Sequence, residues 1–410
     1  EPGTVDEKPR NLRKAHTIYL QVAELDPPAV LLEHALYSLV RCSSDQNSSQ
    51  LINDADRYLK AFDYREMQGR EIDADNYHGK SLLTVLLTRA QSLNPIMKRR
   101  ALEDLLVRMD SEISGHPWRA RYFSEFSETP YEEIRQEALL KIVETYREFN
   151  SRVAATRRFL EAGEGHPLYW ETRFQLGVLL KQNSDIEGSI RHWQKLLEDL
   201  PSADGEAEIN KLRARTVFET GLASWNLLRL EESLAIFREY VSEFPDAADW
   251  TLSQTYCIQI EAQICERFIF EKEYSKARSA IADFSQRYPI HPKTLPLLYQ
   301  SAMSFAREAR HQREKSTVED PLSGTPLFES TLSSLRALNG KYPSTAEGQR
   351  ALLDIGMVYE NDLLNPAEAV KAYRDCFGGA YDGQARERLA ELTRVYLAIE
   401  TERLFRSTDS

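Results

Sequence analysis

Five prolines, Pro167, Pro201, Pro245, Pro289 and Pro343, constrain this chain most tightly, because the residues upstream of each recur in kind at fixed distances. Twelve positions before them stand small residues, in order Ala155, Ser189, Ser233, Ala277 and Thr331. Eight positions before them stand large apolar ones, Phe159, Trp193, Phe237, Ile281 and Leu335. A small side chain is wanted where two antiparallel helices approach closely, and a bulky one about a turn later fills the groove between them. Proline suits the exit because it cannot continue a helix. Two units add a glycine twelve residues before the small residue, at Gly177 and Gly221, where the first helix would press against the second. The pattern is a helical hairpin repeated along the chain.

The best unit runs from Trp170 through Leu176, Gly177, Leu180, Ser189 and Trp193 to Pro201, and Pro167 and Pro201 are 34 residues apart. In this it resembles the tetratricopeptide repeat family, whose consensus places Leu-Gly, then Ala, Phe, Ala and Pro over 34 residues. The resemblance implies an all-α protein, a right-handed α-solenoid of antiparallel helical hairpins whose superhelix lines a concave groove. The next two proline spacings are 44 residues, implying helices or turns lengthened by ten. The last is 54 and contains the helix-poor stretch from Ser316 to Pro326, read as an inserted loop. A further unit runs through Ala351 to Tyr359 and Pro366 to Tyr373, one residue longer than consensus between Gly356 and Ala369, and stops at Gly378-Gly379. A helix from about Gln384 to Phe405 is then expected to cap the apolar edge of that unit. The hairpin exits Phe244-Pro245, Tyr288-Pro289 and Tyr342-Pro343 are similar to those of repeat proteins of the bacterial cell envelope.

The proline-anchored triple does not extend into the first third. Apolar spacing there predicts helices near Leu12 to Glu24, Ala29 to Arg41, Gln50 to Phe62, Lys80 to Ser92 and Pro95 to Ile113, with loops at Cys42 to Ser49 and Gln68 to His78. Asn94-Pro95 is a helix start, and Thr129-Pro130-Tyr131-Glu132 reads as a capping box. The expected organisation is a divergent helical-repeat region over 1–129, the repeat array over 130–343, and the last unit with its capping helix over 344–410.

Lys and Arg total 52 against 64 Asp and Glu, a formal net charge of -12, so the field of the whole chain repels phosphate backbones and anionic headgroups. Nucleic acid is therefore not an expected partner, and the run Lys98-Arg99-Arg100 reads as a solvated helix face. No stretch of about 18 apolar residues is present, so direct membrane insertion is not expected. A start at Glu1 fits a processed or a trimmed protein, and removal of an export signal is one such processing. A periplasmic or cell-envelope location is favoured, with the cytoplasm as the alternative.

The motifs of catalysis and metal binding are missing from the sequence. Cys42, Cys257, Cys265 and Cys376 have no CxxC spacing and read as small core residues. No two of the eight histidines stand at i, i+3 or i+4, and His116, His166 and His291 each precede a proline, as hairpin-corner residues would. Asp73 to Gly79 has a loose likeness to a calcium loop but carries Tyr77 and His78 at positions that need a ligand and a glycine. Asn47-Ser48-Ser49 matches a glycosylation sequon. Neither a cofactor nor an enzymatic activity is expected, and a small-molecule ligand is not expected either.

What remains is the face that the repeat resemblance assigns to partner binding, formed by the first helix of each pair. In register it comprises Glu171, Phe174, Val178, Lys181 and Gln182 in one unit, and Arg215, Phe218, Leu222, Trp225 and Asn226 in the next. Trp225 has two readings, an exposed hot spot beside Arg215 and Asn226, or a ring packed against the lengthened neighbour. The expected function is a non-catalytic scaffold or adaptor that binds a segment of another protein. Two alternatives use the same periodicity: a helical toroid that processes polysaccharides as a lyase or hydrolase, and a spacer within a larger complex.

Overall fold

The side chains eight residues before the five prolines, Phe159, Trp193, Phe237, Ile281 and Leu335, together with Tyr373 of the last unit, are all 0% exposed in the computed structural model. Burying each stabilises the fold by about 1.5–3 kcal/mol, and the helices are arranged around them. The structure describes residues 7–46, 48–67, 77–127, 129–202, 207–315 and 324–408. The chain is all-α, with nineteen helices among the described residues that pack mainly as sequential antiparallel pairs, a tetratricopeptide-like arrangement.

Two compact units divide at Thr216 and Val217. The first holds α1 (Glu7–Glu24), α2 (Ala29–Asp45), α3 (Leu51–Phe62), α4 (Leu82–Gln91), α5 (Pro95–Val107), α6 (Pro117–Phe126), α7 (Tyr131–Thr145), α8 (Phe149–Ala162), α9 (Tyr169–Gln182) and α10 (Ile186–Asp199). Helix α11 (Ala207–Asn226) carries the division within it. The second unit continues with α12 (Leu230–Glu243), α13 (Trp250–Phe270), α14 (Tyr274–Arg287), α15 (Thr294–Lys315), α16 (Thr325–Lys341), α17 (Ala346–Met357), α18 (Pro366–Asp375) and α19 (Asp382–Thr408).

The hairpins close as the pattern requires. A Cβ on Gly177 would collide with the indole of Trp193, one on Gly356 with the ring of Tyr373, and one on Gly221 would stand 3.0 Å from Cζ of Phe237. Ser189, Ser233, Ala277 and Thr331 are fully buried, and the Ser233 hydroxyl donates to the Gly221 carbonyl at 2.8 Å. In the first of the five units Ala155 is only half-buried, and its neighbour Thr156 takes the interior position. The extra ten residues of the 44-residue units go largely into the first helix: α9 has 14 residues, whereas α11 and α13 have 20 and 21, and α15 of the 54-residue unit has 22. The second helices α10, α12 and α14 have 14 residues each, and α16 has 17.

The extra residue between Gly356 and Ala369 appears as a π-helical turn, Val358–Asp362, which absorbs one residue without ending the helix. A second π-turn, Arg108–Ile113, extends α5. Within the hairpins the turn between helices places a residue at positive φ two positions before the second helix: Ser184 (66°), Leu228 (57°), Lys272 (61°) and Leu364 (51°). None of these is glycine, so each turn stores backbone strain.

The first third follows the predicted helices closely, with three differences. Helix α2 continues to Asp45, so Cys42 and Ser43 are buried helix residues and not loop. Helix α6 is an additional element, and α5 packs past it onto α7. Thr129 forms no capping box, since α7 has Pro130 at its N-cap and no side-chain cap, whereas Asn94 does cap α5 by accepting from Met97 N–H at 3.1 Å. Asn47, residues 73–76 of the calcium-like stretch and residues 316–323 of the inserted loop lie outside the described residues. Tyr77 is a core residue whose hydroxyl donates to the Phe62 carbonyl at 2.6 Å. Buried carboxylates of this region are satisfied: Glu33 accepts from Tyr58 at 2.8 Å, Asp54 from Ser43 at 2.5 Å and His16 at 2.9 Å, and Asp63 from Arg108 at 2.7 Å.

At its start α19 packs on the core of the last unit, and further along it leaves apolar side chains open. Ala385 is buried and Leu392 half-buried against α18, yet Val395, Tyr396 and Leu397 are exposed, because α19 has 27 residues and α18 only 10.

Two substitutions test this account. Gly177→Ala is expected to lower the unfolding free energy by about 1–3 kcal/mol in chemical denaturation, since the methyl group displaces Trp193. Leu228→Gly, at an exposed position with positive φ, is expected to raise it by about 0.5–1 kcal/mol, the relief of strain exceeding the added freedom of the unfolded chain.

Candidate functional site

The residues expected on the first-helix face fall into two groups, one in each unit. In the first unit Gly177 brings α9 against Trp193, whose indole N–H donates to the Phe174 carbonyl at 3.2 Å. Phe174 then stacks on Trp193, with centroids 6.1 Å apart and planes at 26°. The Arg215 guanidinium also lies over this ring, 4.4 Å from its centroid. That guanidinium is forked onto Glu171, donating to Oε2 at 2.9 Å and to Oε1 at 3.3 Å, and Gln175 also donates to Oε1 at 2.8 Å. Exposure rises along the series Trp193, Phe174, Arg215, from 0% and 3% to 48% of the side chain.

Phe174 is 3% exposed, so it is the floor of this patch and not a contact on it. A wide apolar ring so near the helix contact gains more from burial than from solvent, which is why its register position misled. Arg215 and Glu171 remain open, at 48% and 39% side-chain exposure. Val178 and Lys181 are half-buried, and Gln182 is exposed at the helix end.

In the second unit Phe218 is likewise a core residue, 8% exposed, among Phe237, Tyr240 and Tyr256. Leu222 is half-buried and Asn226 exposed. Trp225 packs against the lengthened neighbour: its ring meets Tyr256 edge-on at 5.1 Å, and its indole N–H donates to Gln263 Oε1 at 2.7 Å. It stays half-buried, with its polar edge already paired. The sequence reading missed Tyr256 and Gln263. They lie seven residues apart on α13, the spacing of two helical turns on one face, and the packing of that helix on its neighbours brings them beside Trp225.

The corner histidines behave as expected of corners. His166 stands edge-on to Phe159 at 5.4 Å and His291 to Phe284 at 5.9 Å, and Nδ1 of each accepts the N–H two residues ahead. Arg99 lies over the Tyr146 ring at 4.7 Å and Lys98 reaches Glu144 at 3.6 Å, so that basic run is engaged with its surroundings. All four cysteines are free and buried, and burial pushes each thiol above its ordinary value. Among the described residues no helix is long and apolar enough to cross a membrane, and no group of three His, Cys, Asp or Glu could hold a metal.

No family model matches the sequence, and no curated protein matches it. Among solved structures, the P58(IPK) TPR domain aligns over 95% of this chain and 94% of its own, at 13% identity and a TM-score of 0.26. A Rap protein complexed with competence and sporulation factor aligns over 94% and 99%, at 13% identity and 0.26. A monomeric IFIT1 mutant with Gppp-AAAA aligns over 90% and 74%, at 13% identity and 0.25. Scores at this level establish neither a shared shape nor a shared activity, and the helical-hairpin architecture stands on the packing described above.

The layered patch predicts a separation of effects. Phe174→Ala is expected to cost about 3–5 kcal/mol of stability, and Arg215→Ala less than about 1 kcal/mol, both read from urea midpoints.

Proposed function

We propose that this chain is a non-catalytic scaffold that holds a segment of another polypeptide, and that the patch of Trp225, Tyr256 and Gln263 in the second unit is a principal contact. The observation that carries this reading is an aromatic side chain that is fixed but not enclosed. Trp225 is oriented by one hydrogen bond and one edge-on ring, so little side-chain entropy remains to be lost when a partner covers it. In the first unit the Arg215–Glu171 fork over Phe174 offers a second fixed polar feature, suited to the backbone and polar side chains of a bound segment. Lys181, Gln182, Leu222 and Asn226 would border these contacts. Phe174 and Phe218 would support them from below.

The net charge of -12 favours a basic partner and makes association weaken with salt. No cofactor is needed for such a role. The Phe-Pro and Tyr-Pro hairpin exits support a place in a bacterial cell-envelope assembly, and fractionation of the source cells with an antibody to the chain would test that placement.

The binding reading is tested with the partner that copurifies with the tagged chain and is identified by mass spectrometry. In calorimetric titration, Trp225→Ala and Gln263→Ala are each expected to weaken that partner by about tenfold, with the thermal midpoint little changed. Equal affinity in wild type and both variants would remove this patch from the interface. A steep loss of stability in Trp225→Ala would make the residue part of the core.

A further inference from the structure

A carboxylate in the second unit holds two arginines where one would neutralise it. Glu261, in the middle of α13, is 6% exposed. Its Oε1 accepts from Arg238 Nη2 of α12 at 2.6 Å and from Arg287 Nη1 of α14 at 2.7 Å. Its Oε2 is buried with no hydrogen-bond partner. A guanidinium normally forks onto both oxygens of a carboxylate. Here two guanidiniums share one oxygen, and their bonded nitrogens can be no further apart than those two bonds laid end to end.

One positive charge is therefore left without a counter-charge. Among the described residues neither arginine pairs with another carboxylate. The thiols and phenol beside them add no negative charge, since burial pushes up Cys257 and Cys265 and burial and Glu261 push up Tyr288, so all three stay neutral near pH 7, and the nearby Glu266 is paired with Lys293 at 2.9 Å. Both arginines nonetheless reach solvent, with side-chain exposures of 54% and 45%. Arg287 Nε also donates to the Asp283 carbonyl at 3.4 Å, and the remaining N–H groups of the two cations, held close by a buried anchor, can donate to a second oxyanion. A dianion gains from both, and its tetrahedral oxygens can accept from two planar forks that arrive from different helices.

We propose that Arg238 and Arg287, positioned by Glu261, form a binding site for a phosphoryl dianion, supplied either as free phosphate or on a phosphorylated side chain of a partner. The site does not depend on the reading of the Trp225 patch. It is tested on the full chain by calorimetric titration with inorganic phosphate, with chloride at matched ionic strength as the control, and with a phosphoserine peptide beside its unphosphorylated twin. The expected result is saturable phosphate binding that becomes about tenfold weaker in both Arg238→Gln and Arg287→Gln, with unchanged circular dichroism. Tighter binding of the phosphopeptide than of its twin assigns the group to a partner, and binding of inorganic phosphate without that preference assigns it to the free ion. Should Arg287→Gln fail to fold, the more exposed Arg238→Gln carries the test. Phosphate binding no different from chloride, or equal in wild type and variants, would overturn the proposal.

Discussion

The structure depends on one recurring contact, a large side chain of a second helix pressed into the space left by a glycine or small residue on the helix before it. Trp193 on Gly177, Phe237 on Gly221 and Tyr373 on Gly356 are the same joint built three times with different rings. Each joint brings two backbones within reach of one side chain, so the ring sets the distance between helices and the small residue sets where along the helix they meet. Because every hairpin makes its joint locally, the chain can vary the length of everything else.

That freedom is visible in where the additional residues sit. First helices lengthen from 14 residues in α9 to 20 in α11 and 21 in α13, while the second helices beside them, α10, α12 and α14, stay at 14. A single surplus residue becomes a π-turn at Val358–Asp362, and the tight turns within hairpins carry their strain on Ser184, Leu228, Lys272 and Leu364. The strain is tolerated because the joint on either side determines the path of the chain more strongly than the turn does.

The same joints organise the polar chemistry. Helix α13 carries Tyr256 and Gln263 beside Trp225, and Glu261 between α12 and α14, where Arg238 and Arg287 close on it. Phe174 and Phe218 illustrate the opposite outcome. Their register assigns them to an open face, but each is drawn inward by an adjacent ring, Trp193 or Phe237, and becomes a support for what lies above it.

Fold class, the positions of the hairpins, the glycine contacts and the core rings were legible in the amino-acid sequence, because each is a matter of residue size at a fixed spacing along one chain. The first third was legible only as separate helices, since α6 and the buried carboxylates Glu33 and Asp54 follow from which helices meet. Exposure at the candidate site, the partners of Trp225 and the sharing of Glu261 by two arginines were decided by tertiary structure alone. They join residues 23 to 38 positions apart in separate helices, and nothing in local spacing specifies how far a neighbouring helix extends or which side chains it brings to the contact.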